Sequence, residues 1–257
     1  AHEVLELYIK ESGLVTVQGG NLPQSSELEG QSVSTFQISK YETTWGEWKS
    51  VLEWAVSNGY TDLAGVGQGS GDNHPVESVR WYDVLKWCNA KSEREGLTPV
   101  YTVNGTTYKT GESVPTVNST ANGYRLPLEK EWEWAARGGV SSQGCTYSGS
   151  NTASDVAWTY ENSSLETKAV GTKAANELGI YDMSGNVWEW CLDSSADYPA
   201  GAVTDPFVSG GPRRVIRGGC SGDSSFLCRS AIRYDSGPGS TDFFFGFRVV
   251  LAPVLVP

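Results

Sequence analysis

The chain has 257 residues, 39% of them hydrophobic, enough to bury one sizeable core or two small ones and too apolar for a disordered polymer. A formal net charge of −11, with 19 Lys and Arg scattered along the chain, excludes a basic face that could track phosphates, so no nucleic acid partner is expected. Five cysteines without a CxxC pair signal neither a disulfide framework nor a zinc knuckle, and His2 and His74 are too few for a histidine-rich metal site.

The N-terminal AHEVLELYIKESG has neither the basic nor the apolar region of a signal peptide, and no apolar run approaches the ~20 residues of a transmembrane segment. LVTVQGG (14 to 20) and FQISKYE (36 to 42) alternate as strands. A helix follows, capped by Thr43 or Thr44, with Trp45, Trp48, Leu52 and Ala55 on its apolar face and Asn58-Gly59 at its end. His74 lies in the glycine-rich loop GVGQGSGDNHP and reads as a turn residue before a proline. ESVRWYDVLKWCNAKSEREG predicts a second amphipathic helix, closed by Gly96, with Val79, Tyr82 or Asp83, Lys86 or Trp87 and Ala90 marking its turns.

PVYTVNGTTYK (99 to 109) predicts a hairpin turning at Asn104-Gly105. YRLPLEKEWEWAARGG predicts a short helix with Pro127 in its first turn and a stop at Gly138-Gly139. Beyond residue 140 the patterns are strand and loop. No repeat or linker divides the chain, which favours one α+β domain over residues 1 to 257.

In NVWEWC the strand period places Val187, Glu189 and Cys191 on one face and Trp188 and Trp190 on the other. Glu189 therefore shares an apolar face and needs a partner. With Asp182 just upstream the partner could be a hard cation such as calcium; alternatively Glu189 pairs with one of Arg213, Arg214, Arg217, Arg233 or Arg248.

FQISKYETTWGEW, HPVESVRWYDVLKWCNAKSEREGLTPVYTV, NGYRLPLEKEWEWAARGG, NELGIYDMSGNVWEW, and RVIRGG followed by CRSAIR and GFRVV together resemble the formylglycine-generating enzyme family over about residues 14 to 251. The resemblance implies the irregular, loop-rich α+β variant of the C-type lectin fold. It also implies a structural Ca2+ site at Asp182, the Gly185 and Val187 carbonyls, and Glu189. Enzymes of the family oxidise a substrate cysteine with a copper-binding cysteine pair after the GG. Here Cys220 stands where the family has a serine and Asp223 where it has the first cysteine, so no copper and no oxidase chemistry are expected.

Residues 220 to 245 contain no Lys, Glu, Gln, Trp or Met, although the chain holds 45 of these (9 Lys, 19 Glu, 6 Gln, 10 Trp and 1 Met). By composition about five would be expected. Every codon for these five types ends in a purine. A segment written in pyrimidine-ending codons would exclude all of them, and adenine-specific rewriting of such codons is how diversity-generating retroelements vary proteins. RGG, CRSA-x-R, a polar or aromatic run and GFRVV resemble the variable regions of retroelement-diversified proteins, which share the lectin fold and several of which are displayed at cell surfaces. The resemblance implies a non-catalytic, exported or surface protein that binds a macromolecular ligand, protein or glycan. The alternative is a formylglycine-generating-type oxidoreductase acting on a thiol.

The framework would then be Arg217 to Gly219, Cys228 to Ala231, Arg233, Pro238 and Gly246 to Val250, and the diversified positions 222 to 227, 232, 234 to 237, 240 and 242 to 244. From these, the expected ligand contacts are Asp223, Phe226, Leu227, Ile232, Tyr234, Asp235, Ser236, Gly237, Ser240, Asp242, Phe243 and Phe244. Rigid aromatics supply area at low entropy cost and the small polar residues adapt. In an extended strand Phe243, Phe244 and Phe245 cannot all face one core, so at least Phe244 or its neighbours should be exposed.

Overall fold

A computed structural model describes residues 13–197 and 208–251; His2 and the N-terminal segment read above lie outside them. In chain order come β1 (Leu14–Val17), β2 (Gly20–Asn21), β3 (Ser32–Val33), β4 (Phe36–Ser39), α1 (Trp45–Ser57) and α2 (Trp81–Arg94). β5 (Tyr101–Val103), β6 (Thr106–Thr107), β7 (Thr116–Val117) and β8 (Tyr124–Arg125) lead to α3 (Glu129–Ala136) and the single turns α4 (Ala153–Val156) and α5 (Tyr160–Ser163). β9 (Trp188–Ser194), β10 (Arg214–Arg217), β11 (Arg233–Ser236), β12 (Phe245–Gly246) and β13 (Val250–Leu251) complete it.

Local chemistry sets the helix ends. Thr44 caps α1, its Oγ1 accepting the Glu47 N–H at 3.2 Å, and Gly59 at φ +94° terminates it. α2 starts at Trp81, later than its periodicity predicts. Ser78 adopts φ +59°, which no helix tolerates, and the Asp83 carboxylate accepts the Arg80 N–H at 3.2 Å. α3 likewise begins two residues after Pro127, where Glu131 Oε2 accepts the Leu128 N–H at 2.8 Å; Gly138 and Gly139, both at positive φ, end it as expected. Asn104 and Gly105, also at positive φ, make the tight turn between β5 and β6.

Two four-stranded sheets dominate, ordered β1-β4-β13-β8 and β11-β10-β9-β12. β9 is buried along its whole length because each face packs against a different core. Trp188, Trp190 and Leu192 join the helices α1 and α2, whereas Cys191 faces Trp132 and Met183. The C-terminal strand alternates in the same way, with Phe247, Val249 and Leu251 in the first core and Val250 in the second. The unusual segment 220 to 245 therefore runs between two buried anchors, β10 and the 246 to 251 stretch. Among the described residues no helix is long and apolar enough to cross a membrane.

Candidate binding face

The first anchor is built around Arg217. Its guanidinium donates to Glu133 Oε2 at 2.6 Å, Glu129 Oε1 at 3.3 Å and the Ser230 carbonyl at 3.0 Å, and it lies over the Trp132 ring. Arg233 adds a bond to Glu129 Oε1 at 2.9 Å, which ties β11 to α3. Between these arginines the chain leaves β10 through Gly218 and Gly219, both at positive φ. A Cβ on Gly219 would come within 2.6 Å of Cys228 Sγ and 2.9 Å of the Leu227 carbonyl, so only glycine fits this turn.

The 220 to 228 loop then rests on α5. The Tyr160 N–H donates to the Asp223 carbonyl at 2.8 Å, and the Ser163 hydroxyl donates to the Ser221 carbonyl at 2.7 Å. Past β11 a turn closes with the Ser240 N–H on the Gly237 carbonyl, and Asp242 Oδ1 accepts the Phe244 N–H at 3.1 Å. The Trp188 N–H donates to the Phe244 carbonyl at 2.7 Å and joins this loop to β9.

None of the twelve expected contact residues is fully buried. Their roles differ, however. Phe226 (53% exposed), Tyr234 (58%) and Phe243 (66%) stand out from the surface, with Ser240 and Asp242 exposed beside them and Ser236 and Gly237 half-buried. Leu227, Ile232 and Phe244 are half-buried and pack against the first core, so much of their surface serves the scaffold. Asp223 turns inward and accepts the Cys220 thiol at 3.1 Å, while Asp235 is held by Arg213 and Ser195. Of the three consecutive phenylalanines, Phe243 is the exposed ring. Phe245 packs edge-on against Trp190 at 5.2 Å.

Cys220 and Cys228 are free, buried thiols. Burial, and secondarily the Asp223 charge, push both thiol pKa values well above the ordinary range. Both side chains are therefore held as protonated thiols in the metal-free protein.

Glu189 has the arginine partner that the sequence left open. Its Oε1 accepts Arg248 Nη2 at 2.7 Å, and its Oε2 accepts Arg248 Nε at 2.7 Å and Trp132 Nε1 at 2.8 Å. Arg248 and Trp132 thus supply both Glu189 oxygens with partners, which is the ion-pair alternative to its place in the calcium set implied for Asp182, Gly185, Val187 and Glu189. Asp182 accepts the Gly171 N–H at 2.7 Å through Oδ2, and its buried Oδ1 has no partner among the described residues. Burial pushes the Asp182 carboxyl up to about 6. Gly185 is a turn at φ +81° whose Cβ would strike the Trp158 carbonyl, and the Val187 N–H donates to Glu42 at 3.2 Å. Among the described residues no three His, Cys, Asp or Glu side chains converge to hold a metal.

Comparison with known proteins agrees with this architecture. Residues 6–253 match the family described as the sulfatase-modifying factor enzyme 1-like domain. The chain is similar to the chaperone protein LppX of Paenibacillus barcinonensis, 41% identical over 208 residues, covering 70% of this chain and 71% of LppX. It is 35% identical over 150 residues to the formylglycine-generating enzyme of Streptomyces coelicolor, covering 49% of this chain and about half (46%) of the enzyme. In structure it superposes on Treponema denticola variable protein 1 with a TM-score of 0.76 and 29% identity, over 93% of this chain and 95% of that one. The fold is the loop-rich C-type lectin variant expected for the formylglycine-generating type, and the chain belongs to the sulfatase-modifying factor enzyme 1-like domain family.

Proposed function

We propose that the protein is a non-catalytic binding protein whose segment 217 to 250 carries a contact face diversified by a retroelement. One observation carries the reading. Every position that the resemblance marks as replaceable is exposed or half-buried, whereas ten of the fourteen framework positions, Arg217 to Gly219, Cys228, Ser230 and Gly246 to Val250, are buried; Arg229, Arg233 and Pro238 are half-buried and Ala231 is exposed. A face that tolerates replacement must keep its variable side chains out of the core, where even one methylene of misfit is felt. The structural likeness to a Treponema protein named for its variability supports the reading, as does the relationship to a protein named as a chaperone. The ligand is a macromolecule, protein or glycan, met at a cell surface or outside the cell.

The decisive test is genetic. Sibling copies of the gene should differ at codons 222 to 227, 232, 234 to 237, 240 and 242 to 244, beside an adenine-rich near-repeat and a reverse transcriptase. Siblings that vary evenly along the chain would remove the diversified face.

The relationship to formylglycine-generating enzymes keeps a thiol oxidoreductase as the second reading. The sequence counts against it, since Asp223 stands where the family has its first copper-binding cysteine. Supplied with copper(I), oxygen and a cysteine peptide, the protein is expected to consume no oxygen above the blank. Turnover that disappears in Cys228→Ala would establish the oxidase instead.

A further inference from the structure

Beside the diversified loop lies a cavity of about 390 Å³ that the segment does not form alone. One wall is Phe243 and Phe244. The other comes from two distant loops and includes His74, Glu77, Leu165 and Lys168. None of these four is among the positions that the resemblance marks as replaceable. We infer that this cavity receives the arginine side chain of a protein ligand, its guanidinium paired with Glu77 and its plane against the Phe243 and Phe244 rings. The inference rests on the binding-protein reading and adds the chemistry of the ligand.

The wall is rigid before any ligand arrives. Glu77 exchanges two backbone hydrogen bonds with Gln68, at 2.8 and 3.0 Å, and the Ser78 N–H donates to the Asp242 carbonyl at 3.1 Å. These bonds fix the carboxylate-bearing loop against the diversified one. The Val170 N–H donates to the Asn73 carbonyl at 2.9 Å and ties the third loop to the second. At the rim Ser164 and Leu165 both adopt φ +62°, and Leu165 is 55% exposed. Left-handed backbone at a leucine is costly and tends to persist where a site needs it.

Charge selects the ligand. The Glu77 carboxylate is half-buried and has neither a hydrogen bond nor an ion pair among the described residues. Asp242 is a second negative charge nearby, and Glu166 a third, which pairs with Lys168 at 3.3 Å. His74 sits 3.5 Å from Thr167 Oγ1 and is the remaining titratable group of the wall. With one lysine against three carboxylates, an anionic group is repelled and a cation attracted. Guanidinium also stacks on aromatic faces, which suits the phenylalanine wall. Burial, and then Asp242, push the Glu77 carboxyl up to about 7. An incoming cation would favour its charged form, so binding should weaken as pH falls through about 7 and the carboxylate takes up a proton.

The probes are acetyl-Gly-Arg-Gly-amide and its citrulline counterpart, which keeps the shape and loses the charge. In NMR titrations at pH 8 the arginine peptide should bind weakly but at least ten-fold tighter than the citrulline one, and less tightly at pH 6. Glu77→Gln should abolish the ten-fold preference without lowering the melting temperature, because its side chain supports no contact in the fold. Equal binding of both peptides, no binding of either, or an undiminished preference in Glu77→Gln would overturn the inference. Those outcomes leave the diversified face untouched, since that reading stands or falls on the sibling gene sequences.

Discussion

Replacing Arg248 by methionine is expected to destabilise the protein by ~3–5 kcal/mol, a fall in melting temperature on the order of 10 °C. Arg248 and Glu189 are both fully buried, so the guanidinium is the counter-charge that lets the carboxylate exist there. Two further carboxylates, Glu42 and Asp182, share its field, and burial pushes the pKa of both up. Removing the arginine leaves three buried acids with no cation on them. The double variant Arg248→Met with Glu189→Gln should cost clearly less than the single one, because the amide oxygen still accepts from Trp132 Nε1 and no unpaired charge remains at Glu189. Chelation by EDTA should leave the wild-type melting curve where it was. A fall on chelation that calcium reverses, with Arg248→Met nearly harmless, would give the counter-charge role to a metal.

Much of this pairing was within reach of the sequence and part of it was not. The strand period in NVWEWC put Glu189 on an apolar face and so required a partner, but five arginines were eligible and nothing local distinguishes Arg248. The helix ends at Thr44 and Gly138-Gly139 and the turn at Asn104-Gly105 were legible because capping and positive φ are local chemistry. The burial of α2 was not. Its periodicity suggests one apolar face, yet Lys86 and Asn89 are fully enclosed. Lys86 reaches Asp62 Oδ2 at 2.8 Å, and Asn89 bonds to the backbone of Tyr101 and Tyr108. These partners come from loops and strands that no periodicity in the helix can announce. The cavity beside Phe243 was missed for the same reason, since its walls join residues near 70, 165 and 243. Phe243 is exposed as expected, although it lies in a turn and not in an extended strand, and Phe244, an expected contact, divides its surface between the first core and the cavity wall. A Cβ on Gly222 would lie 2.9 Å from its ring.

Phe243 and Phe247, four residues apart, are expected to respond in opposite ways to substitution. Phe247→Ala should cost ~3–5 kcal/mol in urea unfolding, the penalty of a large cavity in a packed core. Its ring is wholly buried, edge-on to Trp48 at 5.9 Å and to Trp87 at 5.3 Å, and its carbonyl accepts the Thr43 N–H at 2.8 Å. No smaller side chain fills that space, and the two tryptophans, stacked 5.5 Å apart, have little freedom to collapse into it. Phe243→Ser should change stability by only ~0.5 kcal/mol, because most of its ring already meets water. Phe244→Ser should fall between them. For a ligand held by the diversified loop the order reverses: Phe243→Ser together with Tyr234→Ser should weaken binding by ~2 kcal/mol or more, about thirty-fold, while the melting temperature stays near that of the wild type. Melting curves and binding isotherms on the same preparations separate the two roles. If Phe243→Ser lowers the melting temperature as far as Phe247→Ala does, the ring belongs to the scaffold, and the segment from 220 to 245 owes its composition to folding.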